Sequence, residues 1–466
     1  MSQRSQSDAS MVSSGSQSTT FALELALGVA LAAAAFFGGA SRLHEVRLAL
    51  VELAALPLLV VCLLLALQGR ARLTPLATGV LVATAALPLL QLVPLPPAIW
   101  SMLPGRDQNL LALELAGMRA GWSPLSLTPD MTWRSFLALI PPVAAFLAIG
   151  MSSGTVRFNV VRAILVFTAL STLMGAAQFA TGAEGLYLWP TTDRGNIVGF
   201  FANRNHLATL CLIAIPFAAV IGARTLRRRD GNRAVLWAAL VFVLLLVAAL
   251  AVIQSRMGAI LLGPSLGGSA LAAWIASGGR RPRPVTLAMI GAAVVALVAL
   301  GAYAYGPLIE RFDTTPASEG RFENWPIVSE AATKYLPIGS GLGSFDSVYR
   351  SVEPLDQLDP TFFNQAHNDY LETWLEAGWL GAALILAFMT WLLRRAWLAW
   401  RASVSTESDL QRAASVAIGV VLAHSLVDYP LRTATIAVVF ALCCGFLEAA
   451  ARLDLGSRRS PRPARG

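Results

Sequence analysis

Apolar runs near twenty residues recur from one end of this chain to the other, and they restrict its fold more than any other feature. Each run is long enough to cross a hydrocarbon core of roughly 30 Å as a helix. Inside lipid every backbone polar group must be satisfied internally, so only helices or closed barrels can span. The expected fold is all-α and polytopic. It reads as about twelve transmembrane helices: 21–40, 48–67, 76–93, 134–151, 158–180, 199–222, 234–254, 258–276, 285–305, 371–393, 411–430 and 432–450. Composition agrees, with 56% apolar and 13% charged residues and a mean hydropathy of +0.62. A soluble protein carries nearer a quarter charged residues.

The net charge of +8 would suggest nucleic acid in a soluble protein, but its placement says otherwise and no nucleic-acid partner is expected. Arginine concentrates in every second connection: Arg70 and Arg72; Arg224, Arg227, Arg228, Arg229 and Arg233; Arg280, Arg281 and Arg283; Arg394, Arg395 and Arg401; then Arg452 to Arg465 in the tail. The positive-inside rule makes those sides and both termini cytoplasmic. Arg42 and Arg47, in a short outer link, depart from the pattern. Residues 1–20 and 451–466 read as a disordered tail and a basic cytoplasmic tail flanking one membrane domain, 21–450. Cys62, Cys211, Cys443 and Cys444 lie inside apolar spans without CxxC spacing, so neither a disulfide framework nor a metal cluster is expected. No strong internal repeat of the kind many transporters show is visible.

This topology leaves a large polar loop, 306–370, outside the membrane before the tenth span, with a shorter outer loop at 94–133. The large loop ends in Gln365-Ala366-His367-Asn368-Asp369-Tyr370-Leu371-Glu372 and runs into Trp374 to Gly381. His367 can exchange a proton near neutral pH. On an ideal helix it would share a face with Tyr370, Leu371 and Trp374, leaving Asp369, Glu372 and Glu376 opposite. A carboxylate partner for His367 should therefore come from another segment. The plain alternative is a histidine capping a helix at the interface. Gly378 and Gly381 would let helices approach closely.

Other polar groups gather at the outer ends of spans. Arg256, in Ser255-Arg256-Met257-Gly258, falls in a very tight outer turn; its guanidinium fork could grip phosphate, or it could simply snorkel. Arg321 lies among acids and could be a solvated ion pair. Asn203-Arg204-Asn205-His206 opens one span, and His424 to Arg432 fills the last outer turn, where Asp428 could pair with Arg432 or another arginine. Polar groups at such depth need a cavity or a partner. Gly339-Ser340-Gly341-Leu342-Gly343-Ser344-Phe345 resembles a phosphate-cradling loop superficially. It lacks the Lys-Ser/Thr of a P-loop and its strand–helix setting, so no nucleotide site is expected.

Taken together, the stretches Gly199 to Ala208, Ser255 to Gly258, Gly320-Arg321 through Gly339 to Phe345, and Ala366 to Leu371 with Glu376-Ala377-Gly378 resemble the O-antigen ligase and polymerase family of bacterial membrane glycosyltransferases. The resemblance covers about 160–440, and the loop Trp122 to Leu127 is also similar. It implies a GT-C-like helical fold, an undecaprenyl-diphosphate-linked glycan as donor, and no cofactor or metal. Carried over by motif, His367, Arg256 and Arg321 would be catalytic. Arg204, Asn203, Asn205, Asn368 and Arg432 would contact substrate. The implied site faces the periplasm of an inner-membrane protein surrounded by membrane lipids. Its acceptor would be lipid A–core for a ligase, or another lipid-linked glycan for a polymerase of O-antigen or exopolysaccharide. A protein-directed oligosaccharyltransferase is a third variant. A polysaccharide transporter would instead require mid-membrane charges and related halves.

Overall fold

The computed structural model describes residues 21–40, 45–70, 73–191, 194–227, 232–280, 316–355 and 363–449. Among them, seven helical stretches are long and apolar enough to cross a membrane, one of them, Pro129–Met151, being two short helices in line, and three shorter apolar helices accompany them. In chain order the helices are α1 (Phe21–Phe37), α2 (Glu45–Leu67), α3 (Pro75–Gln91), α4 (Pro97–Trp100), α5 (Asp107–Leu115), α6 (Pro129–Leu137), α7 (Ile140–Met151), α8 (Gly154–Thr181), α9 (Arg204–Arg224), α10 (Arg233–Ile253), α11 (Arg256–Ala276), α12 (Pro316–Lys334), α13 (Phe345–Arg350), α14 (Asp369–Arg401), α15 (Thr406–His424) and α16 (Ala434–Ala449). A two-residue ladder, Pro94–Leu95 against Ser123–Pro124, is the strand pairing among the described residues. The protein is thus an all-α, multi-pass membrane protein. A helix covers every span read from the sequence except 285–305, which lies outside the described residues, as do the tails 1–20 and 451–466.

Helix α9 is the axis of the bundle. Its most apolar window is 89% buried, against 39% or less in the other candidate spans, and α8, α10, α11 and α15 pack around it. The remaining spans keep leucines and valines such as Leu53, Val60, Leu63, Leu245 and Leu386 exposed, as surfaces that face lipid must. Helix α16 packs on α7, and α7 on α2. A second, smaller apolar cluster sits outside this bundle: Val328, Ala331, Ala332 and Tyr335 of α12 and the turn after it meet Phe345, Val348 and Tyr349 of α13, together with Ala366 and Leu375. Arg47, which broke the charge pattern, lies over the Trp189 ring and donates to the Leu188 carbonyl.

Several local departures have clear causes. The span 134–151 is two helices, because Pro141 and Pro142 follow the break at Ala138–Leu139 and cannot donate backbone N–H groups. The span 199–222 begins only at Arg204, since Asn203 caps it by accepting from the Asn205 N–H at 2.8 Å. Helix α14 is kinked at Gly378, whose φ of 53° and ψ of −139° lie outside the helical region. A Cβ there would meet the Pro337 carbonyl oxygen at 2.4 Å. The glycine expected to admit a neighbouring helix instead admits the segment before the glycine loop, and the Trp379 N–H donates to that same Pro337 oxygen at 2.9 Å.

Helix α14 also marks the membrane. Trp374 and Trp379 stack edge to face near its first half, whereas Arg394, Arg395 and Arg401 occupy its other end. Twenty residues of this kinked helix separate Trp374 from Arg394, the number a span needs to cross a hydrocarbon core of roughly 30 Å.

Candidate functional site

At one end of the bundle, the starts of α9, α11, α14 and α16 and the finish of α15 come together. His367 is placed there by the backbone rather than by a helix. Asn368 is the N-cap of α14, its side chain accepting from the Tyr370 and Leu371 N–H groups at 3.0 Å each. His367 thus precedes the helix and adopts φ 49°, a left-handed conformation uncommon for a non-glycine residue. This corrects the helical-wheel placement, although the consequence drawn from it holds: the carboxylate beside His367 comes from a distant segment. Asp428 Oδ1 lies 3.4 Å from His367 Nδ1. Phe363 and Tyr429 pack against the imidazole at centroid distances of 5.4 and 4.7 Å.

Asp428 is buried and held from several sides. Asn205 Nδ2 donates to its Oδ2 at 2.6 Å, and its Oδ1 accepts from the Tyr429 N–H at 2.9 Å. His424 Nε2 is 3.9 Å from Oδ2, and His424 Nδ1 in turn meets Thr209 Oγ1 at 2.8 Å. The sequence left Asp428 to pair with Arg432 or another arginine; Arg432 turns to other carboxylates, and two histidines, His367 and His424, lie beside Asp428. The reason is steric order: the 3-10 turn Pro430–Arg432 carries Arg432 away from Asp428 and toward α14.

Arg432 meets three carboxylates along α14. Its guanidinium lies 2.9 Å from Glu376 Oε2, 3.2 Å from Glu372 Oε1 and 3.8 Å from Asp369 Oδ1. These acids share a helix face, as their spacing foretold, and that face turns to Arg432. The network continues in both directions. Glu372 Oε2 accepts from the Ala366 N–H at 2.9 Å, one residue before His367. Glu376 Oε1 accepts from the Gly343 and Phe345 N–H groups at 2.9 and 3.3 Å. The loop that resembled a phosphate cradle does hold an anion, and the anion is the Glu376 carboxylate. Gly339, Gly341 and Gly343 all have positive φ, a backbone course that brings the Gly343 and Phe345 N–H groups to the carboxylate while the Gly341 N–H donates to the Glu376 backbone carbonyl at 2.9 Å. Gln91 completes the junction, donating to the Glu376 carbonyl and accepting from the Leu342 N–H, both at 2.9 Å.

The remaining residues singled out from sequence fall as follows. Asn203 and Asn368 are helix caps. Asn205 touches Asp428. Arg204 and Arg256 are the first residues of α9 and α11, at the same end of the bundle as His367. A two-residue turn, Gln254-Ser255, does precede Arg256, and α11 starts close against α9, where a Cβ on Gly258 would lie 3.1 Å from Ala208 Cβ. Arg321 is on the backbone of α12, and its side chain lies outside the described residues. Sequence reasoning missed the role of Asp428 and the Thr209–His424 pair behind it; the signal was present as a polar run, His424-Ser425-Leu426-Val427-Asp428-Tyr429, in an otherwise apolar stretch. Among the described residues no group of three or more His, Cys, Asp or Glu side chains is arranged to hold a metal ion, and the four cysteines are buried thiols.

Residues 240–386 match the family model for O-antigen ligase. That segment contains Arg256, Arg321, the glycine loop, His367, Glu372 and Glu376; Asn205, Asp428 and Arg432 lie outside it. No curated protein matches the chain.

Proposed function

We propose that this chain, whose residues 240–386 match the O-antigen ligase family model, transfers a preassembled glycan from undecaprenyl diphosphate to lipid A–core at the periplasmic face of the inner membrane. The observation that carries this reading is the pairing of His367, inside the matched segment, with Asp428, outside it. A carboxylate at Nδ1 fixes the tautomer in which Nε2 can accept a proton. In the proposed reaction Nε2 takes the proton of the acceptor hydroxyl, worth roughly 10²–10⁴ in rate for a well-placed general base. The acceptor oxygen then bonds to the anomeric carbon of the donor sugar. The bond from that carbon to the phosphate oxygen breaks, and its electron pair leaves on undecaprenyl diphosphate.

Arg256 and Arg321, with Arg204 beside them in sequence role, would meet the charge growing on the departing diphosphate. Oriented cations at the edge of an apolar slab are effective there because water screens them less than in bulk. Cleavage of the activated sugar–phosphate bond drives the transfer, so no nucleotide is consumed. If the fork geometry matters, Arg256→Ala and Arg256→Lys both lose most of the transfer; retention by Arg256→Lys would mean that charge alone is enough.

Deleting the gene and resolving surface polysaccharide by electrophoresis tests the function itself. Ligation predicts rough lipopolysaccharide, with polymer stranded on its lipid carrier. Single repeats on the core, or loss of a secreted polymer with normal lipopolysaccharide, would replace ligation with polymerisation of lipid-linked repeats. Unchanged surface polysaccharide of every kind would overturn both.

A further inference from the structure

The segment between α3 and α6 has an apolar surface that glycan transfer does not use. Ile99, Met102, Leu111, Leu115, Met118 and Trp122 are all exposed, Met102 and Leu115 more than 80% so. Leu111 and Leu115 stand one turn apart on the same face of α5, a helix with no buried residue. Six exposed apolar side chains within one short segment mark a face suited to meet lipid or another protein.

The segment is firmly held from behind. Its ends are joined by the Pro94–Leu95 and Ser123–Pro124 ladder. Arg106 is fully buried, donates to the Leu125 carbonyl and lies 5.7 Å from the Trp100 ring. Burial pushes its guanidinium down from the usual arginine range, and Tyr335 opposes that shift. Trp100 Nε1 donates to the Pro124 oxygen at 3.0 Å. A Cβ on Gly105 would meet the Tyr335 ring at 2.5 Å, so the segment rests against the end of α12. The loop that follows is tied to the glycine loop: the Leu127 N–H donates to the Ser340 carbonyl at 2.9 Å and Thr132 Oγ1 to the Leu342 carbonyl at 2.6 Å.

What covers the exposed face is indicated by what it continues. Leu89, Leu90 and Val93, at the end of the apolar helix α3, are exposed on the outside of the bundle, and the chain passes within a few residues to Ile99 and Met102. Exposed apolar side chains thus continue from the lipid-facing end of α3 as far as Met102, and beyond the exposed polar start of α5, Asp107-Gln108-Asn109, they resume at Leu111 and Leu115. Trp122, and Trp133 on α6, are exposed as well, and tryptophan concentrates where acyl chains meet headgroups. We infer that α5 and its flanking turns form an apron seated in the headgroup–acyl boundary of the adjacent leaflet, with the apolar side chains above dipping into lipid and Arg106 clamping them to the extramembrane cluster. Such a seat would fix the height of the glycine loop, and of Glu376 and Arg432 behind it, relative to the bilayer. The inference rests on the membrane-spanning fold and not on the proposed transfer reaction.

The test is a depth measurement on the full-length protein in phosphatidylethanolamine/phosphatidylglycerol liposomes. Leu115→Cys and, separately, Met118→Cys are labelled with an environment-sensitive NBD probe, with the wild-type chain and its buried cysteines as background. Both sites are exposed, so the substitutions remove no packing. The expected result is blue-shifted emission, quenching by doxyl-labelled lipid and loss of quenching by aqueous iodide. Quenching by iodide and not by doxyl lipid would place the face in water and overturn the inference. Shielding from both quenchers would place it against protein, whether a second copy or another part of this chain, and would overturn it equally.

Discussion

Asp428→Asn is expected to lower glycan transfer by as much as about 10²–10⁴-fold, the whole contribution of a general base, with normal amounts of inserted protein. Asparagine keeps the size of the side chain and can still accept from the Tyr429 N–H at Oδ1. It removes the charge beside His367 Nδ1, and with it the electrostatic support for the imidazolium that forms when Nε2 takes the proton. Asp428 is in this account a positioning residue, so the loss should appear in kcat, with KM for the lipid-linked donor little changed. The double variant His367→Ala with Asp428→Asn should be no slower than His367→Ala alone, because both changes disable one unit. A loss in KM with kcat intact, or fully additive losses, would detach Asp428 from the histidine. Asn205→Ala, which removes only the 2.6 Å anchor to Asp428, should have a smaller effect in the same direction.

Arg432→Ala is expected to destabilise the protein by roughly 3–5 kcal/mol, the usual result of removing one partner from a buried ionic network. Arg432 is 24% exposed at its side chain and stands against three carboxylates that are nearly or fully buried. Without it, Asp369, Glu372 and Glu376 would face one another with no cation between them. The readout is the thermal midpoint of the detergent-solubilised protein, which should fall sharply and recover in part with Arg432→Lys. Glu376→Gln should cost less: the amide oxygen can still accept from the Gly343 and Phe345 N–H groups while the ion pair is lost. This result separates two readings of Arg432. A residue that acts only on substrate would slow transfer and leave the midpoint where it was.

The membrane architecture was legible because it is written in local composition. Runs of apolar residues of span length have few alternatives in lipid, and helices appear where those runs predicted them wherever the chain is described. The site was legible in part. Helical spacing put Asp369, Glu372 and Glu376 on one face, and they do share one cation. The same spacing excluded them as partners of His367, and the partner does come from elsewhere. What spacing could not supply was the partner's name. His367 and Asp428 are separated by all of α14 and α15, and tertiary packing alone decides whether Asp428 faces His367 or Arg432. The conformation of His367 was hidden for a related reason. An N-cap asparagine immediately before Asp369 was a readable start signal, and placing His367 on an ideal helix ran the helix back across it. Gly378 shows the limit of reading glycine as a packing residue: small size admits a neighbour, and only the fold says that the neighbour is the Pro337 carbonyl rather than a helix. The glycine loop is the converse case. Its backbone does what such loops do, and the ligand it cradles is supplied by the chain itself.

The most direct test of the central claim is glycan transfer by purified, reconstituted protein, with an undecaprenyl-diphosphate-linked glycan as donor and lipid A–core as acceptor, comparing wild type with His367→Ala. The account predicts that the wild type yields glycosylated lipid A–core and releases undecaprenyl diphosphate without added nucleotide. It predicts that His367→Ala, inserted and folded to the same extent, loses transfer by about 10²–10⁴-fold. Transfer by His367→Ala at the wild-type rate would contradict it.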